Sequence, residues 1–240
     1  MRDDILTVMW KERKGLFRYR GSRARFLLTL LSPLFLAVWA PLEEGREWVN
    51  GPSPVLLAAI VPIILVGITI PDSFAGERER HTLGTLMASR LPDRAILFGK
   101  VAVSVIFAWG VALIFLLAGL VTANVAHREG ELILFTPTIA LAALALSFLM
   151  ATLSTGAGVL ISLRSATVQE ATQTLMAIFL VPPMFMMMAM LVFRDQIQDL
   201  LGGLSGEQLF LIIMVVMTAL DLLVFAVVMS RFQRSRLYLD

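Results

Sequence analysis

Six apolar blocks alternate with short polar segments along this chain: Phe26–Ala40, Val55–Pro71, Phe98–Ala123, Pro137–Leu163, Ala171–Phe193 and Leu209–Ser230. Crossing a bilayer takes about 20 apolar residues in a helix. The first block is short, and Arg23 and Arg25 extend it by reaching for the interface. Backbone polar groups in hydrocarbon must be satisfied internally, so the blocks predict helices. A barrel strand alternates apolar and polar residues, and a run such as Leu56–Ile68 does not.

Before the first block, Ile5, Val8, Met9 and Leu16 fall near helical spacing, with Lys11, Glu12, Arg13 and Lys14 largely elsewhere. This predicts an amphipathic helix within residues 1–25 lying in the membrane interface. Phe26–Ala40 also has the look of a signal-peptide core. However, the charged stretch before it is too long, and Pro41 follows the only cleavage-like site.

Basic residues orient the helices. Eight precede the first block, from Arg2 to Arg25, and Arg78, Arg80, Arg90, Arg94 and Lys100 lie between the second and third. Arg164 follows the fourth block, and Arg231, Arg234 and Arg236 follow the sixth. The opposite loops hold Arg46, Arg128 and Arg194, one each. Basic residues mark the cytoplasmic side, so both termini are expected there, in a multi-pass protein of the plasma membrane. The chain reads as one membrane domain over residues 1–240, with the helices in 26–230 and a tail from 231.

Composition agrees. Of 240 residues, 58% are hydrophobic, and the mean hydropathy is +0.83. Soluble domains are about 45–50% apolar. Cysteine is absent, and His81 and His127 lie in different polar segments. Neither a disulfide framework nor a Cys- or His-based metal site is expected. Nothing points to nucleic acid.

Within the apolar blocks, Asp221 is the outlier. An Asp at mid-bilayer costs about 2.5–3.5 kcal/mol on insertion scales, so it should face protein or water. It either lines a path or hydrogen-bonds across an interface. As a lone acid it fits the second role better, since a relay needs partners. Pro182 and Pro183 are expected to kink the fifth helix, as a gate hinge or as fixed packing. Met184–Met190 reads as lipid-facing filler. Ala151, Ser154, Thr155, Gly156 and Gly158 permit close helix approach.

The loop between the second and third blocks carries the most information. It reads Asp72-Ser73-Phe74-Ala75-Gly76-Glu77-Arg78-Glu79-Arg80-His81-Thr82-Leu83-Gly84-Thr85-Leu86-Met87, and reaches Gly99-Lys100 at the next block. Phe74, Leu83, Leu86 and Met87 are apolar in charged surroundings, which predicts a short amphipathic helix. Glu77-Arg78-Glu79, Thr82-Leu83 and Gly99-Lys100, in this order and spacing, resemble the signature of type-2 ABC transporter permeases. Leu163-Arg164-Ser165 through Gln169 resembles that family's second cytoplasmic turn, and Arg194–Gln208 its external segment before the last helix. The pattern departs at Gly84, where Glu is common, and at Arg90, where Pro is common.

The resemblance implies an all-α membrane protein of about six transmembrane helices, an N-terminal interfacial helix and a cytoplasmic coupling helix between spans two and three. It implies a permease subunit exporting substrate with ATP hydrolysed by a separate cytoplasmic ATPase. Glu77, Arg78, Glu79, Thr82, Leu83 and Leu86 would contact that ATPase. ATP and Mg would sit on the partner, since this chain has no Gly-x-x-x-x-Gly-Lys-Ser/Thr run. A second copy or a related permease would complete a dimer. Two other readings are an ATPase-independent secondary transporter, which usually has midplane polar sites on broken helices, and a membrane enzyme, for which Asp72 and His81 alone complete no site.

Overall fold

The computed structural model describes residues 1–17, 23–82, 90–127, 130–194, 196, 203 and 205–232. Among these the chain forms eight helices and no strand: α1 (Arg2–Phe17), α2 (Arg23–Glu44), α3 (Arg46–Asn50), α4 (Ser53–Glu79), α5 (Asp93–Ala126), α6 (Pro137–Ser162), α7 (Val168–Val192) and α8 (Gly206–Arg231). By length and composition α4, α5, α6 and residues Gln208–Arg231 of α8 can each cross a membrane. The first and fifth apolar blocks lie on α2 and α7, helices of 22 and 25 residues.

The central element is α4, which packs on α5, α6 and α7. Val61, Leu65, Val66 and Ile70 of this helix have no exposed surface. Leu57 and Phe74 are also buried, so the apolar stripe persists through the whole helix. A helix sheathed by neighbours is expected to be apolar all round. By contrast, α8 rests mainly on α6 and exposes Leu211, Val215, Leu222 and Leu223.

The helix of the second apolar block, α4, runs beyond its expected end at Pro71 as far as Glu79. A proline inside a helix frees the carbonyl four residues earlier. Here that carbonyl belongs to Gly67, and the Thr172 hydroxyl of α7 donates to it at 3.0 Å. The helix therefore passes Pro71 without an orphaned acceptor, and Glu77-Arg78-Glu79 is its last turn rather than loop. The other expected boundaries hold less sharply: α2 extends past Ala40 to Glu44. Pro182 and Pro183 lie exposed inside a continuous α7.

Close packing uses the small residues of α6. A side chain at Gly158 would meet Ile70 of α4 at 2.9 Å, and one at Gly156 would meet Val224 of α8 at 2.7 Å. At the end of the molecule opposite α1, the short α3 plants Trp48, 1% exposed, against Gly119 of α5 and the ring of Phe135, 5.4 Å between centroids. The Asn124 side chain exchanges hydrogen bonds with both backbone groups of Ile133, closing the α5–α6 connection. No local pattern in the sequence announced α3. The segment after α7, residues 194–208, lies mostly outside the described residues.

Candidate functional site

Successive side chains of one helical turn point about 100° apart, so Glu77, Arg78 and Glu79 must address different neighbours. Glu77 turns inward and is 7% exposed. Its Oε1 accepts from Lys11 Nζ of α1 at 2.8 Å and lies 3.1 Å from Lys100 Nζ of α5. Lys100, 2% exposed, also reaches Glu12 Oε1 of α1 at 3.0 Å and donates to the Ser73 carbonyl at 2.8 Å. The Ser73 hydroxyl donates to Glu12 Oε2 at 3.0 Å. Two ammonium groups thus balance two carboxylates, and the ring of Phe74 lies 5.2 Å from Lys100 Nζ.

Burying such charges is tolerable only when they are paired and hydrogen-bonded. Burial alone pulls the Lys11 pKa down, but the hydrogen bond and charge of Glu77, with help from Glu12, outweigh it and hold the group above its ordinary value.

The same corner is closed sterically. A side chain at Gly99 would meet Val8 of α1 at 2.6 Å, and Val8 is 2% exposed. Gly99 therefore lets α1 sit flush on α5, while Lys100 beside it ties α1 to α4. The helix expected from the spacing of Ile5, Val8, Met9 and Leu16 is α1. Its face carrying Val8, Lys11 and Glu12 is docked on the bundle.

Arg78 points the other way. Its guanidinium donates to the carbonyls of Leu163 at 2.6 Å and Ser165 at 3.1 Å. These belong to the α6–α7 turn, where a helix end leaves carbonyls without intrahelical partners. Glu79 Oε1 accepts from the Val168 N–H at 3.3 Å, the first residue of α7. A carboxylate at a helix N-terminus also meets the positive end of its dipole. Thr167 caps the same helix by accepting from the Glu170 N–H. The last turn of α4 is thereby fastened to four helices: α1 and α5 through Glu77, α6 and α7 through Arg78 and Glu79.

The end of α4 has a defined shape. His81 adopts φ +56°. The Thr82 N–H bonds the Glu77 carbonyl at 2.9 Å, and the His81 N–H bonds that of Arg78 at 2.9 Å. This pair of bonds is a Schellman stop, with histidine where glycine is usual. The Thr82 hydroxyl adds a bond to the Glu77 carbonyl at 3.2 Å. Arg80 folds back onto Asp72 Oδ1 at 3.0 Å.

The structure thus gathers Glu77, Arg78, Glu79 and Thr82 at one corner. Glu77 is enclosed, whereas Glu79 and Thr82 are exposed. Leu83, Leu86 and the expected amphipathic helix lie outside the described residues. Asp221 is remote from this corner. It is 7% exposed and accepts from the Thr152 hydroxyl of α6 at 2.7 Å, through Oδ2. The partners Lys11, Glu12 and Ser73 were not singled out from sequence. The available signal was Lys100, a lysine placed just inside an apolar block.

Neither a curated protein nor a solved structure matches the chain. The family model described as ABC-2 type transporter matches residues 3–206, a stretch that takes in α1, the fastened turn of α4 and the Gly99-Lys100 pair. A membrane protein with these features, matched over most of its length, belongs to the ABC-2 type transporter family.

Proposed function

We propose that this chain is the six-span permease subunit of an ABC exporter of the plasma membrane, with both termini in the cytoplasm. A separate cytoplasmic ATPase binds and hydrolyses ATP with Mg. A second copy or a related permease completes the translocation unit. The six apolar blocks and the alternation of basic residues support the span count and orientation.

The observation that carries the reading is the fastening of Glu77, Arg78 and Glu79 to four different helices at the point where α4 ends. A soluble motor moves membrane helices only through a stiff connection. The segment following the Schellman stop, with Thr82, Leu83 and Leu86, is the contact for the ATPase. Its apolar residues anchor it, and exposed Glu79 contributes charge for register. Displacement of this segment passes through the last turn of α4 to α1, α5, α6 and α7 together. Glu77 and Arg78 serve as transmission residues, and they need not touch the ATPase. Asp221 holds α8 on α6.

Affinity purification of the intact complex tests the proposal. Wild type should co-elute with an ATPase chain and transport only with ATP. Leu83→Asp and Leu86→Asp should lose the ATPase while still inserting. Transport driven by an ion gradient, with no ATPase bound, would overturn it.

A further inference from the structure

The docked face of α1 leaves its other flank standing off α5. Between the two helices runs a cleft of about 440 Å³, within the range of about 300–1,000 Å³ seen for small-molecule sites. Met9 and Trp10 form one wall, and Val103, Ile106 and Phe107 form the other. Among the described residues, Arg13 is the one charged residue lining it. We propose that this cleft binds one anionic phospholipid, its phosphate on Arg13 and one acyl chain along Val103, Ile106 and Phe107.

Position supports a lipid. The cleft begins beside the Lys100 network, at the cytoplasmic end of α5. Ile106 lies six residues further along, about 9 Å into the apolar stretch. Headgroup and chain thus fall at their natural depths. Ile106 is 58% exposed and Trp10 55%, a large apolar surface needing cover.

Charge complementarity selects the headgroup. Lys14 Nζ lies 3.6 Å from the Trp10 ring centroid, which engages that cation and steadies the indole. Lys11 is held by Glu77. Arg13 makes no ion pair among the described residues, and a guanidinium suits bidentate phosphate binding. The nearest acid along α1, Glu12, faces Lys100. Asp3 and Asp4 lie more than two turns away, and Asp4 pairs with the terminal amine.

The proposal rests on the chain being embedded in a membrane, and not on the ATPase. The test is native mass spectrometry of the purified chain with phosphatidylglycerol and phosphatidylcholine of identical chains. Wild type should retain one phosphatidylglycerol with about tenfold preference, because the choline ammonium of the other lipid offsets the phosphate charge that Arg13 meets. Arg13→Gln, at an exposed site, should reduce that preference to about twofold or less. Ile106→Trp should lower retention of both lipids while Val8→Cys, introduced beside it, stays shielded from thiol reagents. Equal retention of the two lipids by wild type would overturn the proposal, as would an undiminished preference in R13Q. Crosslinking from Ile106→Cys to residues 18–22 or to a second copy, in place of lipid, would also overturn it. Loss of lipid selectivity with the ATPase still co-eluting would sink this site and leave the exporter reading intact.

Discussion

Lys100 Nζ of α5 lies 3.0 Å from Glu12 Oε1 of α1, a link between residues 88 apart in the chain. Lys100 contacts Glu77 and Ser73 from the same position, so a single ammonium group holds α1, α4 and α5 at one point.

Removing that ammonium leaves the buried Glu77 carboxylate and the partly buried Glu12 carboxylate with less compensation. Breaking a buried pair from one side costs about 3–5 kcal/mol. Lys100→Met should therefore release α1 while leaving the membrane helices inserted. Thiol labelling of Val8→Cys measures the release. The cysteine should be protected while Lys100 is present and reactive once the Lys100→Met substitution is added. Equal protection in both would show that apolar packing alone holds α1.

Arg78 serves two carbonyls that no other described side chain reaches. A lysine ammonium cannot reproduce the fork that spans them. Arg78→Lys should lower thermal stability, by about 1.5–3 kcal/mol for charge-assisted bonds. Under the proposed coupling, in which Arg78 transmits motion rather than binding the motor, transport should fall further than ATPase co-elution. A variant that lost the ATPase first would place Arg78 at the binding surface instead.

His81 holds a left-handed backbone at a stop usually built with glycine. Left-handed conformation costs a residue with a side chain about 1–2 kcal/mol, partly offset by the greater unfolded-state entropy of glycine. His81→Gly should raise the melting temperature modestly, and His81→Val should lower it. If both variants lowered it equally, the imidazole itself would be making a needed contact.

Lys11 gives α1 docking a dependence on pH. Its pKa is raised in the folded state, where Glu77 and Glu12 outweigh the effect of burial. A raised pKa contributes stability that is complete below the ordinary lysine range. That contribution is lost as pH climbs through the higher folded value. Spin labels at Thr7→Cys and Arg94→Cys, both exposed sites, should report separation of α1 from α5 only at strongly alkaline pH. Lys11→Gln should weaken docking at neutral pH and remove that alkaline component. A profile unchanged by the substitution would show that Lys11 plays no part.

The sequence made the apolar helices plain, because the pattern that drives insertion is local. α4, α5, α6 and α8 stand where four of the blocks lie. The misplaced boundary at Pro71 has a specific cause. Proline followed by aspartate reads as a stop, and the donor that rescues the helix is Thr172, over a hundred residues later. Glu77, Arg78 and Glu79 read as loop residues available to an ATPase for the same reason. Their partners, Lys11, Lys100, Leu163 and Val168, arrive from distant segments. Position in the sequence marked this turn as special; only packing showed that one of its residues faces the interior.

The docking of α1 also orders events during synthesis. Translation proceeds at about 5–20 residues per second, so Glu12 precedes Lys100 by roughly 4–18 s. For that interval the newborn first helix has no seat, and its apolar face must shelter on the lipid surface. Joining it to the bundle is thus a late step, open only after the third apolar segment has entered the bilayer.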